Sequence, residues 1–139
     1  MIYTSYFGKV KKIEAADPTA VLIPVCGKVG TWCAQKKNVC CLRDAAPRWT
    51  WWQEWHEKFK DDLESEESVK WYSEKYKTTV LDKLDRDEML EWIAKTAGEH
   101  NAYLLCYETP EKFCHRHLLA AWLNEKPGVN IQEWQENTM

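Results

Sequence analysis

Ala102–Glu108 reads AYLLCYE, a run that is apolar almost throughout, with no polar alternation. A strand with one wet face alternates, so a strand apolar at successive positions must be covered on both faces. Ala20–Gly27, AVLIPVCG, is a second such run, and Ile2–Phe7, IYTSYF, is a shorter β-branched and aromatic one ending at Gly8. Pro24 cannot donate to a ladder, which confines the second run to an edge position or a bulge. Covered strands need helices on either side of them, and this requirement selects the fold class. We expect an α/β protein: a small three-layer sandwich with a mainly parallel, Rossmann-like sheet and helices on both faces, one domain over residues 1–139.

The helical periods lie between the runs. Trp52, Trp55, Phe59 and Leu63 recur at three- and four-residue spacing, which predicts a helix over Arg48–Leu63. Val69, Tyr72, Tyr76, Val80 and Leu84 mark a second, with Ser65 as its cap. Asp85 with Glu88 has the capping-box spacing and opens a third, which buries Met89, Ile93 and Ala97 and stops at Gly98. After AYLLCYE, Thr109 is placed to cap and Pro110 to open a helix reaching Asn124. VNIQEW, Val129–Trp134, reads as a last short strand, and Lys28–Arg48 as loop with a short strand around NVCCL.

The net charge is −3, from 19 basic and 22 acidic residues, which excludes the broad basic footprint of a general nucleic-acid binder. Nothing is long and apolar enough to span a membrane, and no signal peptide opens the chain, so a cytoplasmic protein is expected. Disulfides are then the weaker account of its six cysteines. Nine tryptophans, several in RWTWWQEW, Arg48–Trp55, exceed what a core of this size needs and supply a surface on which a flat ligand stacks. The acidic run DDLESEE, Asp61–Glu67, reads as a solvated helix junction.

Open α/β sheets bind ligands beyond the carboxyl ends of their strands. The first strand brings Thr4, Ser5, Tyr6 and then Lys9 to that edge; the second brings Cys26, Gly27 and Lys28; the third brings Tyr107, Glu108 and Thr109. With Trp51 and Trp52 as stacking rings and Arg116 as a bidentate clamp, these residues make a candidate site for a small anionic, nucleotide-like ligand. Helical geometry from Pro110 places Cys114 and Arg116 on nearly opposite faces, so Cys114, His115 and Arg116 do not converge on one point. Cys114 keeps three readings: core residue, nucleophile, or metal ligand with Cys106 and His117. No CxxC pair supports a metal, so neither metal nor cofactor is expected. Arg116 pairs with Glu108 or Glu111 if it is structural, and Glu108 or His115 does the acid–base work if the protein is an enzyme.

IYTSYFGKV at the start and LLCYETPEKFCHRHLLAAWL near the end, with AAPRWTWWQEW and WYSEKY between them, resemble the bacterial and phage family of domain of unknown function number 488. The resemblance implies a compact α/β fold. It makes Thr4, Ser5, Tyr6, Cys106, Glu108, Cys114, His115 and Arg116 motif positions. It brings no settled activity. The Cys- and Lys-rich segment Cys26–Arg43 departs from the family's pattern. Three functions follow as expectations. The first is binding of a nucleotide-derived ligand, sequestering a signal as viral antagonists of host defence do, in the host cytoplasm. The second is a hydrolase or transferase acting on a nucleoside or nucleotide bond through Glu108, His115 and Cys114. The third is a protein-interaction module using the tryptophan-rich helix. A homo-oligomer is left open.

Overall fold

A computed structural model describes residues 1–136. Four parallel strands form one sheet in the order β2-β3-β1-β4: β1 Ile2–Tyr6, β2 Val21–Pro24, β3 Ala102–Cys106 and β4 Gln132–Glu133. The register runs from Ile2↔Ala102 to Tyr6↔Cys106 on one side of β3 and from Val21↔Ala102 to Pro24↔Leu105 on the other. β1, β2 and β3 therefore end almost level. All five β3 residues are buried, as their continuous apolarity predicts. Pro24 lies on the edge strand, and its carbonyl accepts from Leu42 N–H at 2.8 Å. The NVCCL segment runs alongside β2 there, with Leu22 N–H donating to Asn38 O at 2.8 Å and Cys40 N–H donating to Leu22 O at 3.0 Å.

Two cores separate the layers. On one face, Val10 and Ile13 of α1, Val10–Ala16, pack with Leu22, Tyr103 and Leu105. On the other lie α3 Trp49–Lys58, α4 Glu66–Thr79, α5 Arg86–Ala97 and α6 His115–Asn124, packed on Ile23, Leu104 and Cys106. Leu22, Leu104 and Leu105 have no solvent exposure. Each such leucine contributes about 1.5–3 kcal/mol relative to leaving it in water. The expected three-layer arrangement is thus present, with the sheet parallel throughout.

The caps follow the sequence where they are local. Ser65 Oγ accepts from Ser68 N–H at 3.1 Å, and Asp85 Oδ1 accepts from Glu88 N–H at 3.0 Å. Gly98 ends α5 at φ +62°, a conformation that costs a side chain strain. Two helices have no counterpart in the sequence reading: α1, and α2 Thr31–Ala34 inside the segment read as loop. One start is corrected. Thr109 and Pro110 do not open a helix; they form a turn in which Thr109 Oγ1 donates to Glu111 at 2.8 Å, and α6 begins at His115 with Cys114 as its N-cap. Cys114 is extended, at φ −152° and ψ 142°.

Candidate functional site

Beyond the carboxyl ends of β2 and β3 lies a cleft of about 630 Å³, within the range of small-molecule sites. One wall comes from α3, with Trp49, Trp52, Trp55 and His56. The other comes from the β2 end, Cys26–Lys28, and the β3 end, Cys106–Glu108. Tyr72, Phe113, Cys114 and His115 close the floor. Glu64 anchors the chain leading into that floor, its carboxylate accepting from Phe113 N–H at 2.8 Å and 3.1 Å.

The aromatic wall is ordered as a ladder. Positions three and four apart share one flank of a helix. Trp49 stacks on Trp52 with centroids 5.2 Å apart and planes 9° from parallel, and Trp52 stacks on His56 at 5.2 Å and 19°. Trp49, the outer ring, is 64% exposed. Trp55 turns inward instead, and its Nε1–H donates to Ser68 Oγ at 2.8 Å. On the opposite rim Lys28 is exposed and makes no ion pair among the described residues; its carbonyl accepts from the Tyr107 hydroxyl and from the Cys26 thiol.

The floor is a chain of thiols ending on an imidazole. His115 Nε2 lies 2.7 Å from Val25 O, a group that only accepts, so Nε2 carries the proton. In the neutral ring Nδ1 is then the acceptor, and it faces the Cys106 sulfur at 3.8 Å. Cys106, Cys114 and His115 are all 4–5% exposed. The thiols tune one another. At Cys106 the Cys114 hydrogen bond acts downward, but the Cys26 hydrogen bond and burial outweigh it and push the group up to about 12. Cys114 is raised by its hydrogen bond with Cys106 and then by burial, against His115. Cys26 is lowered, chiefly because Cys106 donates to it. Of these three thiols, Cys26 alone is eased toward the thiolate. Among the described residues, Cys106, Cys114 and His115 form the one His, Cys, Asp and Glu group with metal-ligating geometry, their donor atoms all within 4.8 Å of one another.

Of the residues singled out in the sequence, Gly27, Lys28, Trp52, Glu108, Cys114 and His115 line the cleft. Trp51 does not; it is 6% exposed, with its ring edge-on to Tyr72 at 4.9 Å. Thr4, Ser5, Tyr6, Lys9, Thr109 and Arg116 also lie outside the lining. Thr4 Oγ1 donates to Glu133 at 2.6 Å, and Ser5 Oγ is buried without a hydrogen-bond partner among the described residues. Tyr6 lies against the Arg116 guanidinium at 5.9 Å, and Lys9 pairs with Glu136. Arg116 has no exposure, and it forks onto Glu133 with Nε–Oε1 3.1 Å and Nη2–Oε2 2.9 Å while Nη1 donates to Glu108 O. Its structural partner is thus Glu133, not Glu108 or Glu111. Cys114, His115 and Arg116 do not converge on one point, as expected: Cys114, which precedes the helix, meets Cys106 and His115, while Arg116 turns away to Glu133. His115, not His117, completes that trio. His117 is held below its ordinary value by burial and by Arg116, and its Nε2 has no partner among the described residues. Trp49 and His56 are the cleft residues that periodicity missed, although they lie three and four residues from Trp52.

No curated protein and no solved structure matches this chain. A family model does match: DUF488-N3a, described as the active DUF488-N3 subclade, over residues 34–127 of 139. That span holds the tryptophan ladder and Cys106, Cys114 and His115 of the floor, and leaves out β1, β2 and Cys26. With more than half of its length inside that match, the chain belongs to the DUF488 family, in its DUF488-N3a subclade.

Proposed function

We propose that the protein binds a small, flat, anionic ligand of the nucleotide class in the cleft beyond β2 and β3, and withholds it from solution. The observation that carries this reading is the ladder Trp49, Trp52 and His56, whose outer ring presents an exposed face to a cleft at the ligand-binding end of a parallel sheet. A ladder of parallel rings accepts a further planar ring at little entropic cost, because its own members are already stacked. Lys28 on the facing rim and the amino end of α6 in the floor supply positive potential for a phosphate. The family resemblance adds motif residues to that floor without choosing the ligand.

Incubation with a panel of nucleotides and cyclic nucleotides, removal of excess, denaturation and mass analysis should recover one of them intact, at one per chain. Trp49→Ala should weaken binding of that nucleotide by about 1–3 kcal/mol, roughly 5- to 150-fold, the worth of one base–aromatic stack. Failure to retain any member of the panel would overturn the reading and favour a protein-interaction role for the tryptophan surface.

A second reading, a hydrolase or transferase acting on a nucleoside or nucleotide bond, is favoured by one observation: a bare imidazole Nδ1 and a buried thiol meet in the wall of the same cleft. The word "active" in the subclade's description points the same way. Converted product in excess of protein would select it, with Glu108 or His115 as the acid–base group. Full turnover in Cys114→Ser would remove Cys114 as a covalent nucleophile.

A further inference from the structure

We propose that Cys106, Cys114 and His115 form a zinc-class metal site, with three protein ligands and a fourth position open to the cleft. The inference does not rest on the nucleotide reading, and it departs from the expectation of no metal. Four observations carry it. The three donor atoms lie within 4.8 Å of one another, all in buried side chains. Ligands around a tetrahedral zinc ion stand about 3.6 Å apart for sulfur and nitrogen and about 3.8 Å for two sulfurs. The Cys106 Sγ to His115 Nδ1 separation is 3.8 Å, close to that spacing, and the other two pairs lie within 4.8 Å, so closing on an ion needs side-chain shifts of about 1 Å or less. His115 is already in the ligating tautomer: Val25 O holds the Nε2 proton at 2.7 Å, the second-shell arrangement that metal-bound histidines use, and Nδ1 is left as the donor. Finally, all three residues line the cleft, so an ion bound to them has one side toward it.

The chemistry of the donor set selects the metal. Two sulfurs and one imidazole suit a borderline-soft, tetrahedral divalent ion over magnesium or calcium. Binding balances without a redox step. Each of the two thiols releases one proton to solvent, and the two thiolates cancel the ion's two positive charges, which leaves a neutral centre in a buried floor. Cys26 neighbours this centre through its hydrogen bond with Cys106 but is not one of the three clustered donors, and its thiol donates to Lys28 O at 3.3 Å. Three ligands with one open position is the arrangement of sites that bind and polarise a substrate or water, whereas closed four-ligand sites are structural.

Cobalt(II) is the probe. Added to the reduced, chelator-treated protein, it should give a thiolate-to-cobalt charge-transfer band and tetrahedral ligand-field bands that saturate at one ion per chain, and zinc should erase them. Cys114→Ala and His115→Ala should each weaken binding by more than the roughly 10- to 100-fold that loss of a second-shell partner costs. Cys26→Ser and the exposed-site control Cys40→Ser should keep the stoichiometry. The spectrum is read on the unaltered chain, so it stands even where a variant fails to fold. Absence of the charge-transfer band, or a Cys106–Cys114 disulfide in the protein before reduction, overturns the proposal. Loss of the ion in Cys26→Ser as complete as in Cys114→Ala overturns the open fourth position.

Discussion

Arg116 carries a full positive charge with no solvent contact, and it can do so because Glu133 meets it in a two-pronged ion pair that Thr4 also supports. Removing one partner leaves the other buried and uncompensated. Glu133→Leu alone should cost about 3–5 kcal/mol of stability in urea unfolding, whereas the double variant Arg116→Met, Glu133→Leu should recover most of that loss. Equal loss in the single and double variants would show that the pair is not the source. A second titratable group reports on the opposite face. Burial acts to raise Asp17, but hydrogen bonds from Tyr103, Thr19 and Asn101 outweigh it and hold the carboxylate below its ordinary 3.8. A depressed folded value means stability that is present above the unfolded value and is lost as pH falls through the folded one. The urea midpoint of the wild type should therefore exceed that of Asp17→Asn by a margin that is constant above about pH 5 and narrows as pH falls through the unfolded value toward the lower folded one. A margin independent of pH would remove the carboxylate from the account.

At the level of elements, legibility followed locality. Helices α4 and α5 were readable because their caps and their stripes, such as Met89, Ile93 and Ala97, sit within a few residues of each other. Helix α1 was not, because Val10 and Ile13 are its two buried residues and two positions make no period. The start of α6 was misplaced for a different reason. Thr109–Pro110 satisfies the local rule for opening a helix, yet the chain spends those residues on a turn and opens the helix at Cys114. What decides the matter is distant in sequence: Glu64, in the acidic run read as solvated junction, holds the Phe113 amide. That bond is worth about 0.5–1.5 kcal/mol. Glu64→Ala should speed hydrogen exchange at the Phe113 amide several-fold, up to about tenfold, while the buried amides of β3 keep their protection. Unchanged exchange at Phe113 would show that the turn holds itself. The acidic run thus positions the floor of the cleft, a role its composition did not display.

For the molecule as a whole, the sheet and its layers could be read from three apolar runs, but the cleft could not, because its parts lie at residues 26–28, 49–56 and 106–115. Sequence placed Gly27, Lys28 and Glu108 at strand ends, where the structure has them, since strand ends are set by the runs themselves. It could not choose between Trp49 and Trp51, two residues apart on nearly opposite sides of the same helix, without knowing which flank meets the sheet. The strand order carries one more consequence. β1 is an inner strand, and its partners are β3 and β4, about a hundred residues or more further on. During synthesis, at roughly 5–20 residues per second, Ile2–Tyr6 therefore spends several seconds as an unpaired apolar strand, with two open edges and no neighbour to occupy either. The helices α3–α5, local in sequence, can form in that interval, but the thiol floor cannot exist until Cys106 and Cys114 have been made. The cleft is a late acquisition of the chain, and any chaperone or early-binding partner meets the protein before it has one.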